Sequence, residues 1–143
     1  MADRGRKRVE TLIREISETL SLAEELAQTP EGEFARSRRD RYALRMALVE
    51  LAESCSRLGL EALRLRGVHS VSAYREIFKK MVELGMISPE VSEEMQRLIG
   101  LRNLIIHRYW EVDDLRVLRE ARLGGLDVVR RFLEEVRRNV LGS

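Results

Sequence analysis

Apolar residues recur along the chain at intervals of three and four, the period of a helix with one buried face. Val9, Leu12, Ile16, Leu20, Ala23 and Leu26 form the first such stripe. "QTPEGE" ends it, because Pro30 cannot extend a helix and Gly32 loosens the chain. A second, longer helix is expected from about Ala35 to Leu65. Tyr42, Leu44, Met46, Leu48, Val49, Leu51, Ala52, Cys55, Leu58 and Ala62 make it broadly apolar, as suits the central helix of a bundle. Gly67 stops that helix, Ser72 is the candidate N-cap of a third over Ala73 to Leu84, and Gly85 closes it. "ISPE" is a strong start signal, with Ser88 at the N-cap and Pro89 at the first helical position, where its missing N–H costs nothing. The helix that follows should reach about His107 or Tyr109. Asp113 is the N-cap of the last helix, expected from Asp114 to about Val140 with Leu118, Leu126, Val129, Leu133 and Val136 as its stripe. Gly124 and Gly125 fall inside it, weaken it by about 1 kcal/mol each relative to Ala, and allow a local bend. The pattern predicts an all-α fold, a compact bundle of about five helices.

At 143 residues the chain suits one domain, 1–143, with no repeat and no linker longer than a turn. Hydrophobic residues at 44% supply a core, and charged residues at 35% supply a heavily ionised surface. Twenty-six Lys and Arg against twenty-four Asp and Glu leave a net charge of +2, which by itself does not point to nucleic acid. Arg greatly outnumbers Lys, and its planar fork suits phosphate, although salt-bridged helix surfaces account for the same bias. The single Cys55 excludes an intramolecular disulfide and reads as a small buried residue in a reducing compartment. "MADRGRKRVE" is charged and no apolar run behind it is long enough for a signal peptide or a membrane span, so the cytoplasm is the expected location.

The usual catalytic sets are absent from the sequence. With two His, His69 and His107, and one Cys, no cluster has the spacing of a zinc site, and no glycine-rich loop follows a strand. No cofactor or metal is expected. Glu24 and Glu25, or Glu93 and Glu94, sit in ordinary charged faces, and His69 in a solvated loop.

"LRNLIIHRYWEVDD", Leu101 to Asp114, stands apart because it sets Arg, Asn, His and Tyr among Leu and Ile. At about 100° per residue, with Arg102 at zero, Asn103 lies near ~100°, Ile106 near ~40°, His107 near ~140° and Tyr109 near ~340°. Leu98, Leu101, Leu104 and Ile105 all fall between roughly 200° and 320°, a clean apolar face opposite the polar groups. His107 is one turn from Asn103 on the same side, within reach of being oriented by it. Ile106, an aliphatic side chain within the polar arc, suits a surface covered by a partner or a second copy. Arg102, His107 and Tyr109 would serve equally to hydrogen-bond neighbouring helices, or to form a site. In a site, a neutral imidazole accepts a proton near pH 7 while a guanidinium holds phosphate, the minimum set for metal-free RNA cleavage by a 2′-hydroxyl. One His per chain supplies a base or an acid, and a two-fold dimer would supply both. A non-catalytic module that holds a nucleotide or docks a partner, and a purely structural dimer, remain the competing readings.

These residues resemble the motif of the HepT-like members of the HEPN superfamily: Arg102, Asn103, three apolar residues, His107, one residue, Tyr109. The flanks "RYALRMALVELAESCSRLG", "SAYREIFKKMVELGMIS" and "GLRN" extend the resemblance over most of the chain. It implies an all-α HEPN bundle that forms a homodimer, with both motifs lining a shared cleft. It further implies a toxin of a toxin-antitoxin pair acting as a metal-independent ribonuclease on RNA. The partner implied is an MNT-type nucleotidyltransferase antitoxin that attaches AMP to the motif tyrosine. By position, Arg102 would stabilise phosphate, His107 would transfer protons, Asn103 would support the site and Tyr109 would receive AMP.

Overall fold

The structure, a computed structural model, describes residues 2–142; Met1 and Ser143, the ends of the expected domain, lie outside the described residues. The regular elements are all helical: α1 (Ala2–Ala27), α2 (Glu31–Arg36), α3 (Arg38–Leu65), α4 (Tyr74–Glu83), α5 (Pro89–His107), a 3-10 turn (Tyr109–Glu111), α6 (Asp114–Glu120) and α7 (Leu126–Val136). Wider turns at Ala121–Gly125 and Arg137–Leu141 follow α6 and α7. No helix among the described residues is long and apolar enough to cross a membrane.

The core is built around α3. Leu44, Leu48, Leu51, Ala52, Cys55, Leu58 and Ala62 are all buried, and α1, α2, α4, α5, α6 and α7 all pack against this helix. Burial in apolar surroundings pushes the Cys55 thiol pKa up, so it stays protonated and inert. α1 lies antiparallel to α3: Arg8 pairs with Glu61 at 3.6 Å, and Thr19 Oγ1, eleven residues later, donates to Glu50, eleven residues earlier, at 2.8 Å. The stripe Val9, Leu12, Ile16, Leu20 and Ala23 is buried in that contact. Phe78 of α4 meets Phe132 of α7 edge to face at 5.8 Å, and with Phe34 of α2 these rings are fully buried. Each contributes roughly 1.5–3 kcal/mol of transfer free energy. Gly59 lets α4 approach α3 closely, since a Cβ there would lie 2.7 Å from Ile77 Cγ2.

Three boundaries, and the burial of two residues, differ from what the sequence suggests. Ser37, extended at φ −101°, ψ 101°, divides the expected second helix, and its hydroxyl accepts from Asp40 N at 3.1 Å to start α3. Gly32 accordingly sits inside the short α2 rather than in a loop. Ser72 is not a cap: α4 begins at Tyr74 with Ala73 at the boundary, and a hydroxyl one residue too early does not meet the free amides. The last helix is interrupted rather than bent. Gly124 adopts φ 146°, ψ −17°, which separates α6 from α7, while Arg122 beside it donates to Ala27 O and Thr29 O at the end of α1. Finally, Tyr42 and Met46, counted among the apolar positions of the central helix, are 50% and 62% exposed.

Asp113 caps α6 as expected, accepting from Leu115 N at 3.1 Å and Arg116 N at 3.4 Å. Asp114 has a separate task. Arg45 of α3 grips it with two hydrogen bonds of 2.7 and 2.8 Å, and Arg41 approaches at 3.4 Å. The Asp114 hydrogen bond is the main reason the Arg45 guanidinium holds its proton beyond its ordinary range. Arg45 Nη1 also donates to Tyr109 O at 3.3 Å, so one side chain ties the 3-10 turn and α6 to the central helix.

The break at Gly124 depends on glycine for its backbone rather than for space, because a Cβ there would meet nothing nearer than Glu94 Oε1 at 3.8 Å. Gly124→Ala is expected to lower stability by about 1–3 kcal/mol, the cost of forcing an L-residue into this region. Urea unfolding should show a lower midpoint at unchanged slope, and an unchanged midpoint would show that the break tolerates a side chain.

Candidate active site

α5 is set from its N-terminus. Ser88 Oγ accepts from Val91 N at 3.2 Å, Pro89 takes the first helical position, and Glu135 of α7 accepts from Ser88 N at 2.7 Å. The helix then buries Val91 and Met95 in its first turns and, nearer its end, Leu98, Leu101 and Ile105 of the apolar face that the angular count sets apart from Arg102. Leu104 is partly buried at the edge of that face. On the other side, Arg102, Asn103, Ile106 and His107 follow one another along the last two turns, and the last three of these are exposed.

Arg102 is the best-anchored of the motif side chains, at 16% exposure. Its Nη2 and Nε donate to Glu53 Oε1 of α3 at 2.5 and 3.2 Å, and its Nη1 donates to Asn103 Oδ1 at 3.0 Å. The guanidinium also lies 5.7 Å from the ring centre of Tyr74, at the start of α4. Asn103 therefore orients the arginine; the expectation that it would orient His107 is replaced by this contact. Glu53 and Tyr74 are site residues that the sequence reading missed. The one available signal was a pair of carboxylates, Glu50 and Glu53, within the otherwise apolar run "VELAESC" of α3.

Tyr109 lies off the helix. α5 ends at His107 because Arg108 takes φ −137°, ψ 45°, and Tyr109 opens the 3-10 turn. The calculated position of Tyr109 near Arg102 at ~340° assumed a continuing helix and does not apply. What fixes its backbone instead is the Arg45 bond from α3. The Tyr109 ring is 63% exposed and meets Trp110, itself 69% exposed, edge to face at 5.2 Å.

The exposed apolar side chains gather around this motif. Of the seven large hydrophobic residues exposed among those described, Ile106, Tyr109 and Trp110 belong to the motif region, and on α3 Tyr42 lies one turn before Arg45 and Met46 directly after it. Arg45 stacks 5.2 Å from the centre of the Tyr42 ring while reaching Tyr109 O, which joins the two groups into one patch. A charged fork and an imidazole are thus bordered by uncovered apolar surface, a pattern of interaction faces rather than of solvated ones.

The family described as ribonuclease HepT-like matches residues 16–136. No curated protein sequence matches the chain. Among solved structures, a tri-AMPylated HEPN toxin from Shewanella oneidensis in complex with an MNT antitoxin superposes with a TM-score of 0.80 at 16% identity, covering 90% of this chain and 96% of that one. A cytosolic protein of unknown function from Bacillus subtilis, YutE, superposes at 0.78 with 18% identity, covering 92% and 87%. These likenesses show a HEPN-like fold. With a family match that spans the bundle from α1 into α7 and takes in the whole Arg102 to Tyr109 motif, the chain belongs to the HepT-like family.

Proposed function

We propose that the protein is a ribonuclease toxin, active in the cytoplasm as a homodimer and neutralised by an MNT-type nucleotidyltransferase that attaches AMP to Tyr109. The observation that carries the reading is the outer face of α5, where Arg102, Asn103 and His107 stand together beside an exposed apolar border. Support for the activity comes from the family description, and support for the partner from the Shewanella toxin, which is AMPylated and bound to an MNT antitoxin.

The chemistry follows from these groups without a metal. One His107 takes the proton of a 2′-hydroxyl as its oxygen attacks the adjacent phosphorus. The bond to the 5′-oxygen breaks, and that oxygen receives a proton from His107 of the second copy. Arg102 balances the charge that builds on the phosphoryl oxygens. In the resting protein its counter-charge is Glu53, whose side chain is 48% exposed and free to turn away as phosphate takes its place. A positioned base contributes about 10²–10⁴ in rate, and a fixed cationic donor a comparable factor. Tyr109 suits modification because it is exposed: its hydroxyl oxygen would attack the α-phosphorus of ATP, releasing pyrophosphate. The added phosphate would then place negative charge beside the motif and obstruct RNA.

The pairing of Arg102 with Glu53 also favours the second reading, a non-catalytic module that docks the nucleotidyltransferase or holds a nucleotide. Cleavage of tRNA and mRNA by purified protein in EDTA separates the two: wild type should cut, and His107→Ala should be slower by at least about 10²-fold. Equal behaviour of the two proteins would end the ribonuclease reading, and antitoxin binding without toxicity on expression would establish the docking module. Intact mass after incubation with ATP and the cognate transferase should rise by whole AMP units in wild type and not in Tyr109→Phe. Light scattering should give a dimer for wild type and a monomer for Ile106→Asp; an unchanged dimer would take Ile106 out of the interface.

A further inference from the structure

One stripe of α3 leads away from the motif. Glu53, which holds Arg102, is followed at four-residue intervals by Arg57 and Glu61 on the same side of the helix. Because α1 is antiparallel to α3, its first turns lie beside the far end of this stripe, where Arg8 meets Glu61. Between the two helices is a cleft of about 360 Å³ whose walls include Arg4, Lys7, Arg8, Arg57 and Glu61, with Glu15 at the α1 side. A second cleft of about 510 Å³ continues it past Arg8 to Arg64 and His69.

The lining of these clefts is basic. Arg4, Lys7, Arg8, Arg57 and Arg64 face the two carboxylates Glu15 and Glu61, a local balance of +3 where the whole chain carries +2. Arg8 and Arg64 share Glu61, at 3.6 and 2.9 Å. Arg4, Lys7 and Arg57 have no carboxylate partner within ion-pair distance among the described residues. Several arginines elsewhere are held by carboxylates, Arg116 by Glu120, Arg119 by Glu31, and Arg130 by Glu24 and Asp127. What sets Arg4, Lys7 and Arg57 together is their shared place on the walls of one cleft.

We propose that the α1–α3 cleft is a second RNA subsite, which holds backbone phosphates of a single strand whose scissile phosphate lies at Arg102. This rests on the ribonuclease reading of the motif. The spacing fits: Glu53 to Glu61 spans about 12 Å at 1.5 Å per residue, a distance that a few nucleotides of single strand cover. Cations in a concave track that cross no base edges bind a strand without regard to sequence. A membrane surface is the poorer match, because such helices carry an apolar face to insert, and Leu22, the exposed large apolar residue on α1, lies far along the helix from Arg4 and Lys7.

The test uses 2′-O-methyl RNA of 4 and 12 nucleotides, which binds without being cut by a 2′-hydroxyl route, so its result does not depend on catalysis by His107. Fluorescence anisotropy compares wild type with Arg4→Glu/Lys7→Glu/Arg57→Glu. The variant should bind the 12-mer at least ten-fold more weakly and bind the 4-mer as wild type does. Its slope of log affinity against log salt should fall by about 2, since three phosphate contacts on a single strand contribute about 0.7 each. Should the triple variant not fold, Arg57→Gln alone should lower the slope by about 0.7. An unchanged slope, equal weakening of both RNAs, or wild-type binding to phosphatidylglycerol vesicles but not to the 12-mer would overturn the proposal. Cleavage failing while the 12-mer still binds in this length-dependent way would count against the ribonuclease reading and leave the subsite standing.

Discussion

Arg102 and Glu53 join the motif helix to the helix around which the bundle is built, and the site depends on that ion pair. An arginine at the edge of a core needs a counter-charge, because a desolvated guanidinium without one is costly. Glu53 supplies it from the middle of α3, where neighbours Leu51, Ala52 and Cys55 are fully buried and the backbone is held on every side. Asn103 takes a further N–H and Tyr74 lies against the guanidinium, so the fork is positioned before any phosphate arrives. In the proposed reaction a phosphate that contacts the fork in two places would take over the role of Glu53, whose side chain is half-exposed and can turn to solvent.

A second tie from α3 governs the other half of the motif. Arg45 binds Asp114 with both ends of its fork and reaches Tyr109 O, so the turn that carries Tyr109 is hung from the central helix and not from α5. The backbone of Tyr109 is thereby held while its ring stays exposed, which suits the modification proposed for it. The apolar surface that begins at Tyr42 and Met46 and ends at Trp110 surrounds this clamp, so a partner seated there would cover the motif and Tyr109 together.

What was legible in the sequence was local. Ser88 with Pro89, and Asp113, state their helix starts by hydrogen-bonding chemistry confined to a few residues, and the structure bears them out. The two faces of α5 follow from periodicity, and Leu98, Leu101 and Ile105 are buried while Asn103, Ile106 and His107 are exposed. Ser37 was hidden because good helix formers lie on both sides of it, and the break at Gly124 because the apolar stripe keeps its period across the gap. Tyr42 and Met46 show the limit of residue type as a guide to burial, since an apolar side chain at an interaction face reads like one in a core. The contacts that define the site join residues 49, 64 and 69 positions apart, Arg102 to Glu53 and Arg45 to Tyr109 and Asp114, and no local pattern announces them.

The proposed metal-free cleavage by an internal nucleophile, with His107 moving the proton and Arg102 holding the phosphate, would leave a chemical record in the product. The most direct measurement is the end-group analysis of RNA cut by the purified protein. A 2′,3′-cyclic phosphate on one fragment and a 5′-hydroxyl on the other is the predicted result, because the 2′-oxygen is the attacking group and the 5′-oxygen leaves with a proton. A 3′-hydroxyl with a 5′-phosphate would contradict it, since that pair arises from attack by water and not by the ribose.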